Sequence, residues 1–306
     1  MPQRLTKRED LVNLPEFEDA ARLALDPTVF STIAGSDRAG FDRITFRPRM
    51  MVPTLDLDLS VELFGQTHFT PLLVGPVGEQ LRYHADAELA TARGASAARV
   101  TMIVSGRSSV PLSQIAAQTK TPAWFSAYAD GDTRRQIDQA LAAGCAVVCI
   151  AAEPSKAPDF RRIESIARGV STPVVIKGVM RPQDAAAAIA AGARGVIVSD
   201  HGATASTGPT PIDALPAIVD VCAGKATVLV DGSFRRGSDV AKALALGAHG
   251  VLLARPIIWG LAAYGADGVQ NVLELLQSEL ARTLGSLGAP SLSQLTREMV
   301  RIHRRR

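Results

Sequence analysis

The stretch Gly195-Val-Ile-Val-Ser-Asp-His-Gly-Ala-Thr-Ala-Ser206 decides how the chain is read. Val196, Ile197 and Val198 form a short β-branched run with no polar alternation, which suits a strand covered on both faces, as in a parallel sheet. The run ends abruptly at Ser199-Asp200-His201-Gly202, so a titratable imidazole stands where the chain leaves the core. In α/β folds the carboxyl ends of parallel strands are the usual place for chemistry. A lone histidine there is also compatible with an ordinary polar loop, so the surrounding pattern has to decide.

Working outward, strand-like apolar runs recur at Pro71–Gly75, Thr101–Ser105, Ala123–Tyr128, Ala146–Ala151, Pro173–Lys177, Gly195–Ser199, Thr227–Asp231 and Gly250–Ala254. Between them lie helical, alanine-rich stretches at Ala85–Ala98, Arg134–Ala143, Phe160–Ala167, Pro182–Ala190, Pro211–Cys222 and Ser238–Leu246. Gly144, Gly192 and Gly247 each follow such a stretch, where a left-handed cap is needed before the next strand. Strand–helix alternation requires right-handed parallel crossovers. Eight repeats fit a closed barrel better than an open doubly wound sheet. The expected fold is therefore a (β/α)8 TIM barrel, spanning residues 61–306, with a short helical cap and lead-in over residues 1–60, the whole forming one structural domain. In the cap, Leu11, Leu14, Phe17, Ala20, Ala21, Leu23 and Leu25 recur at helical spacing, and Pro27 stops the pattern. Beyond the eighth strand, Val269–Leu284 and Ser291–Arg304 are expected to be two carboxyl-terminal helices.

Composition narrows the functional classes. The chain has 306 residues, 47% of them hydrophobic and 21% charged, as in ordinary globular proteins. A net charge of +3 points to no polyanionic partner, and Arg304-Arg305-Arg306 is a short solvated tail, so no nucleic-acid partner is expected. Cys145, Cys149 and Cys222 lie in apolar segments without Cys-x-x-Cys spacing and read as reduced thiols of a cytoplasmic protein. The amino terminus lacks the apolar core of a signal peptide, and no apolar stretch reaches the roughly 18 residues of a membrane span. No metal-ligand spacing is present in the strand-end motifs.

The strand ends carry the candidate chemistry. The fifth ends at Lys177-Gly178, the sixth at His201-Gly202, the seventh at Asp231-Gly-Ser-Phe-Arg-Arg-Gly237 and the eighth at Ala254-Arg255-Pro256. Loops after strands seven and eight commonly hold a phosphate on backbone N–H groups and a helix amino terminus. Gly232 and Ser233 permit close backbone approach there, while Arg235 and Arg255 supply guanidinium donors. A barrel-mouth lysine such as Lys177 serves as a Schiff-base amine, as a fixed charge beside an electron-accepting ring, or as part of an ion pair. Its position alone leaves these open.

Three segments resemble the FMN-dependent α-hydroxy-acid oxidases and dehydrogenases, which include glycolate oxidase and lactate oxidase. They are Val175-Ile-Lys-Gly-Val179, Val196-Ile-Val-Ser-Asp-His-Gly-Ala203 and the long run Val230-Asp-Gly-Ser-Phe-Arg-Arg-Gly-Ser-Asp-Val-Ala-Lys-Ala-Leu-Ala-Leu-Gly-Ala248. Phe46-Arg-Pro-Arg49 and Glu88-Leu-Ala-Thr-Ala-Arg93 are similar to further family segments, and the likeness runs from about Phe41 to Thr296. The resemblance implies an FMN site. Lys177 would face the N1–C2 carbonyl edge of the flavin and stabilise the reduced ring. Asp231 would bind the ribityl chain, and Arg235 and Arg255, with the Gly232 and Ser233 backbone, the phosphate. Pro76-Val77-Gly78 would lie along the ring, and Ser105 would touch the flavin. Ser126 stands where the family has a pyrimidine-binding glutamine, and Ala254 where it has a glycine by the phosphate. His201 would be the base that takes a proton from the 2-hydroxy acid, and Tyr128 the substrate-side hydroxyl that binds the developing oxyanion. Fourfold homo-oligomers are a further implication of the likeness.

Departures from the family pattern concern the substrate. The carboxylate-binding arginine three residues after the histidine falls at Thr204, and the aspartate expected to pair with the histidine aligns with Ala152. The loop that would carry a second substrate arginine is reduced to Glu153–Asp159, and an amino-terminal substrate tyrosine aligns with Thr32. An α-hydroxy carboxylate in a dry site needs a cation. Arg107, after strand two, is expected to replace the lost cations in part, and Arg82 lies nearby beside Glu79 and Tyr83. The leading expectation is an oxidoreductase converting a 2-hydroxy acid to a 2-oxo acid with FMN, of altered specificity. The competing ones are an FMN-binding member that no longer oxidises hydroxy acids, and a flavin-free barrel binding sugar phosphates with Lys177 as a Schiff-base residue.

Overall fold

A computed structural model describes residues 5–35, 37–129, 132–152, 159–202 and 208–303. Eight parallel strands close into a barrel: Leu72–Val74, Thr101–Ser105, Trp124–Tyr128, Val148–Ala151, Val174–Val179, Gly195–Val198, Thr227–Val230 and Gly250–Leu253, each paired with its sequence neighbours and the eighth with the first. They coincide with the eight apolar runs of the sequence. The reason is visible in the packing. Leu73, Ile103, Trp124, Cys149, Val175, Ile197, Leu229 and Leu252 fill the barrel interior, one from each strand. Their neighbours, such as Leu72, Met102, Phe125, Val148, Ile176, Val198, Val230 and Leu253, face the surrounding helices. With both faces of each strand buried, the strands show no regular polar alternation, and polar residues within them such as Ser126 and Lys177 are themselves buried.

Helices Ala87–Ala97, Leu112–Ala116, Thr133–Ala142, Phe160–Arg168, Pro182–Ala190, Pro211–Cys222 and Gly237–Ala245 return the chain between strands. Gly144, Gly192 and Gly247 adopt φ of 78°, 90° and 104°, the left-handed caps their positions require. The hairpin Val61–Leu63/Gln66–His68 lies at the amino-terminal end of the barrel. There Leu63 joins the interior cluster, and the Phe64 ring meets Trp124 at 5.4 Å between centroids. The cap helix Leu14–Ala24 begins with the Asn13 side chain accepting the Glu16 N–H at 3.2 Å. It packs on the carboxyl-terminal helix, where Phe17 and Tyr264 stack edge to face. Pro27 not only ends that helix but opens a short one, Pro27–Ser31, capped by Asp26.

The carboxyl-terminal expectation needs correcting. Val269–Leu284 lies within one long helical run, Arg255–Leu287, kinked at Tyr264 and Gly265. Ser291–Arg304 is not a second helix. It forms two short 3₁₀ turns, Leu292–Gln294 and Arg297–Met299, and then the strand Val300–Ile302, antiparallel to Ile44–Phe46. Leu292, Leu295 and Met299 recur at helical spacing, but the free edge of Ile44–Phe46 offers backbone partners: Arg47 donates to the Met299 carbonyl, and His303 to that of Arg43. Among the described residues no helix is long and apolar enough to cross a membrane.

One tight helix contact rests on a glycine. A Cβ added at Gly94 would lie 2.3 Å from the Ala266 carbonyl oxygen and 2.7 Å from Val269 Cβ. Gly94→Ala must therefore push helix Ala87–Ala97 off its partner, costing about 1–3 kcal/mol. At roughly 2–4 °C per kcal/mol for a domain of this size, a thermal melt is expected to fall by several degrees. An unchanged Tm would contradict the contact.

Candidate active site

The carboxyl ends of the strands open into a cavity of about 410 Å³. Its floor is built from three adjacent strands. Lys177, from strand five, is 6% exposed and forms an ion pair with Asp231, just past strand seven. The same ammonium donates to Ser199 Oγ at 2.5 Å, at the end of strand six between them. Ser199 also accepts the His201 backbone N–H at 3.1 Å, so one hydroxyl joins the lysine to the histidine loop. Asp200 accepts the Gly202 N–H at 2.9 Å and closes a tight turn. Within that turn His201 takes a φ of 58°, a left-handed conformation that costs a non-glycine residue about 1 kcal/mol or more. A register shift in strand five between Lys177 and Val179 leaves Gly178 at φ 101°. A Cβ there would come within 2.5 Å of His201 Nε2, so the imidazole rests against bare backbone.

Burial, and secondly the Lys177 charge, hold the His201 pKa below its ordinary value of 6.5, against the opposing pull of Asp231 and a hydrogen bond to the Ala152 backbone. Position 152, where the resemblance placed the loss of a paired aspartate, thus contributes its main chain to the ring.

At one end of the cavity the loop after strand seven supplies Gly232 at φ 102° and Ser233 at φ 60°. Arg235 is 5% exposed and stacks on Trp259 at 4.3 Å. Burial, and then the neighbouring Arg255, push its pKa down to about 9. Arg235 and Arg255 both donate to the Gly35 carbonyl, at 3.1 and 2.7 Å, so the cap reaches over this end of the site. The adjoining helix Gly237–Ala245 is closed by its own Asp239, which accepts the Arg235 and Arg236 N–H groups at 2.9 Å and pairs with Arg38 at 2.8 and 3.0 Å. That helix terminus is therefore not free for an anion; the two guanidinium groups bond only backbone carbonyls, and among the described residues no carboxylate pairs with them.

At the other end Tyr128 lines the cavity with Thr32 and Tyr83. The Tyr128 hydroxyl lies 3.3 Å from Ser105 Oγ, which also accepts the Arg107 N–H at 3.2 Å. The Arg107 guanidinium stacks 3.8 Å above the Tyr128 ring. Among the described residues no carboxylate pairs with it.

Of the residues singled out in the sequence, one cavity gathers Pro76, Val77, Gly78, Tyr128, Lys177 and His201, and with them Asp231, Gly232, Ser233, Arg235, Ala254 and Arg255. Ser105, Ser126 and Arg107 do not line it. Ser105 and Ser126 are buried side by side in register on strands two and three, behind Tyr128, and Arg107 stands over that ring. Thr204 and Glu153–Pro158, at which the substrate loops were expected to differ, lie outside the described residues. Sequence reasoning missed Ser199, Arg38 and Tyr83. Ser199 had a signal, being the first polar residue after an apolar strand; Arg38 and Tyr83 reach the site only through the tertiary fold.

These residues fit a flavin mononucleotide. Buried Asp231 Oδ1 has no hydrogen-bond partner, an acceptor waiting for a hydroxyl donor such as a ribityl chain provides. The two crowded arginines call for a dianion. Fold and site together define a barrel oxidoreductase with a phosphate-anchored cofactor at the mouth. Comparison with known proteins agrees. A model of the family described as FMN-dependent dehydrogenase matches residues 31–155 and 150–302. An L-lactate oxidase from Nostoc sp. is 33% identical over 93% of this chain and 96% of the relative. A 4-hydroxymandelate oxidase from Amycolatopsis orientalis is 32% identical over 94% and 97%. A solved mandelate oxidase with (S)-2-phenylpropionate superposes with a TM-score of 0.88 at 33% identity, covering 96% of this chain and 99% of that one. The chain belongs to the FMN-dependent dehydrogenase family, and its cofactor is FMN. The alignment to the lactate oxidase runs over 351 positions, more than the 306 residues present here, so that relative carries insertions this chain lacks.

Losing a buried charge contact costs on the order of 2–5 kcal/mol. Arg235→Met is therefore expected to weaken FMN binding at least thirtyfold in a fluorescence titration of apoprotein. Affinity within threefold of the parent would remove Arg235 from the phosphate site.

Proposed function

We propose that the protein oxidises a 2-hydroxy acid to the 2-oxo acid, with His201 as the base and Lys177 as the charge that favours reduced cofactor. The observation that carries this reading is the joining of a neutral-leaning imidazole and a buried ammonium on one cavity floor through Ser199. Bound FMN supplies the two-electron acceptor. His201 takes the hydroxyl proton of the acid. The Tyr128 hydroxyl, braced by Ser105, donates to the substrate oxygen on which charge develops. Arg107, stacked on that same ring outside the cavity lining, adds positive charge behind the Tyr128 hydroxyl and replaces the lost cations only in part. Pro76, Val77 and Gly78 form the wall against which the ring system lies. Ser105 and Ser126 face each other in register beside Tyr128, where they would meet the flavin. A homo-oligomer belongs to the same reading; Met50, Met51 and Leu55, exposed by 80%, 99% and 94%, are apolar surface available to it.

A second reading, an FMN protein that no longer oxidises hydroxy acids, draws on one observation: both arginines lining the cavity, Arg235 and Arg255, lie at its phosphate end. Anaerobic titration separates the two. Lactate, glycolate, mandelate or a longer 2-hydroxy acid is expected to bleach the flavin band, and failure of every one of them would leave only the second reading.

His201→Ala is expected to lower kcat/KM by about 10²–10⁴ while FMN stays bound. The base must be neutral to act, and its pKa is lowered, so activity persists to more acidic pH than a free imidazole would allow. The acid limb of the kcat/KM profile is expected to have its midpoint below 6.5. A midpoint above that value would mean another group, or another environment, governs the step.

A further inference from the structure

Tyr83 belongs to the loop after strand one, directly after the 3₁₀ turn Gln80–Arg82. Its ring packs against the core, while the side chain lines the same cavity as Tyr128 and His201. Its hydroxyl lies 3.3 Å from Thr32 Oγ1. Thr32 donates its own proton to the Val29 carbonyl at 2.7 Å, so within this pair the phenol is the donor. At 3.3 Å the bond is long for two hydroxyls, whose usual separation is about 2.7–2.8 Å, and it exchanges readily for a stronger acceptor.

The position of the phenol is built rather than incidental. Glu88, with no exposed surface, accepts the backbone N–H of Gln80 at 3.2 Å and of Ser109 at 2.9 Å through one oxygen. Ser109 Oγ accepts the Leu81 N–H at 3.1 Å, and the Glu79 backbone N–H donates to the Arg107 carbonyl at 2.9 Å. The loops after strands one and two are thereby stapled together, and Tyr83 is presented from a fixed frame. Among the described residues the cavity lining contains no guanidinium apart from Arg235 and Arg255, which face the phosphate end. An anionic head at the other end therefore meets hydroxyl donors.

We propose that Tyr83 is a substrate-binding residue that determines specificity, donating from its phenol to the carboxylate of the acid with Tyr128 as the second hydroxyl. This rests on the functional reading above. A neutral donor holds a carboxylate more weakly than a guanidinium does, so small acids bind loosely and affinity depends on the rest of the molecule.

The test uses the FMN-loaded full chain and oxalate, a dicarboxylate that cannot be oxidised as a hydroxy acid, its Kd read from perturbation of the flavin absorption. Tyr83→Phe removes one oxygen and is expected to raise that Kd about fivefold, with FMN affinity and Tm unchanged. In turnover it is expected to raise KM by a similar factor with kcat changed less than twofold. Thr32→Val removes the resting partner and is expected to leave oxalate bound at least as tightly. An unaltered Kd in Tyr83→Phe overturns the assignment. So does a loss in Thr32→Val as large as that in Tyr83→Phe, which would mean the pair only braces the cap, and so does a parent protein that binds no oxalate. If the parent binds oxalate in a Tyr83-dependent way yet no 2-hydroxy acid bleaches the flavin, the carboxylate site stands and the functional reading alone fails.

Discussion

The barrel mouth is organised by one buried ion pair, Lys177 with Asp231. Taking two charges out of water costs several kcal/mol each, offset only when geometry is good and the remaining valences are satisfied. Here the partners come from strands five and seven, and Ser199 on the intervening strand takes a second ammonium proton. The pair therefore ties three adjacent strand ends into one floor. It is left incomplete on one side, since Asp231 Oδ1 is buried without a partner. Arg235 and Arg255 add positive charge a short way along the same cavity. A site that concentrates cations around a single unsatisfied acceptor is matched by a ligand carrying a phosphate, a chain of hydroxyls and a ring able to hold negative charge. FMN has all three.

The same electrostatics bind the cap to the barrel. Two guanidinium groups converge on the Gly35 carbonyl, and the Gly35 N–H donates to Glu18 of the cap helix at 2.7 Å. Trp259, on which Arg235 stacks, donates to the Ile33 carbonyl at 3.0 Å. Arg38 clamps Asp239 and reaches the Ser233 carbonyl at 3.2 Å. Residues that a sequence reading assigns to a lead-in thus hold the phosphate loop in its left-handed conformation. A boundary drawn at residue 60 separates segments of chain that share one site.

The barrel was legible because strands buried on both faces are mostly apolar and show no regular polar alternation, and because helix-to-strand turns demand glycine at positive φ. Lys177, His201, Asp231, Arg235 and Arg255 were legible for the same reason: each is the first polar or charged group after a silent apolar run, or follows it within a few residues. What stayed hidden depends on contacts between distant segments. Tyr83 meets Thr32 across 51 positions, and Arg38 meets Asp239 across 201. Ser291–Arg304 misled because period and pairing compete there: apolar spacing favours a helix, while an unpaired strand edge offers main-chain bonds that a solvent-exposed helix would not add to the core.

The base and the substrate end changed in the same direction. Burial and the Lys177 charge hold the imidazole's pKa down against Asp231, so in the proposed reading the base has less driving force for proton removal. Among the described residues no guanidinium lines the substrate end, Arg107 standing behind the Tyr128 ring, so in the proposed reading an incoming carboxylate meets phenols in a frame fixed by Glu88. Each substitution exchanges a formal charge for a dipole, and dipoles act over shorter distances and with stricter geometry than charges do. Such a site discriminates by fit more than by attraction, and that requires a rigid wall. Gly178 pressed on His201 Nε2, Gly78 within 2.7 Å of the Arg107 carbonyl oxygen when given a Cβ, and two stapled loops supply it. The rigidity of the mouth is thus the counterpart of its missing charges, and softening either loop should harm substrate selection before it harms cofactor binding.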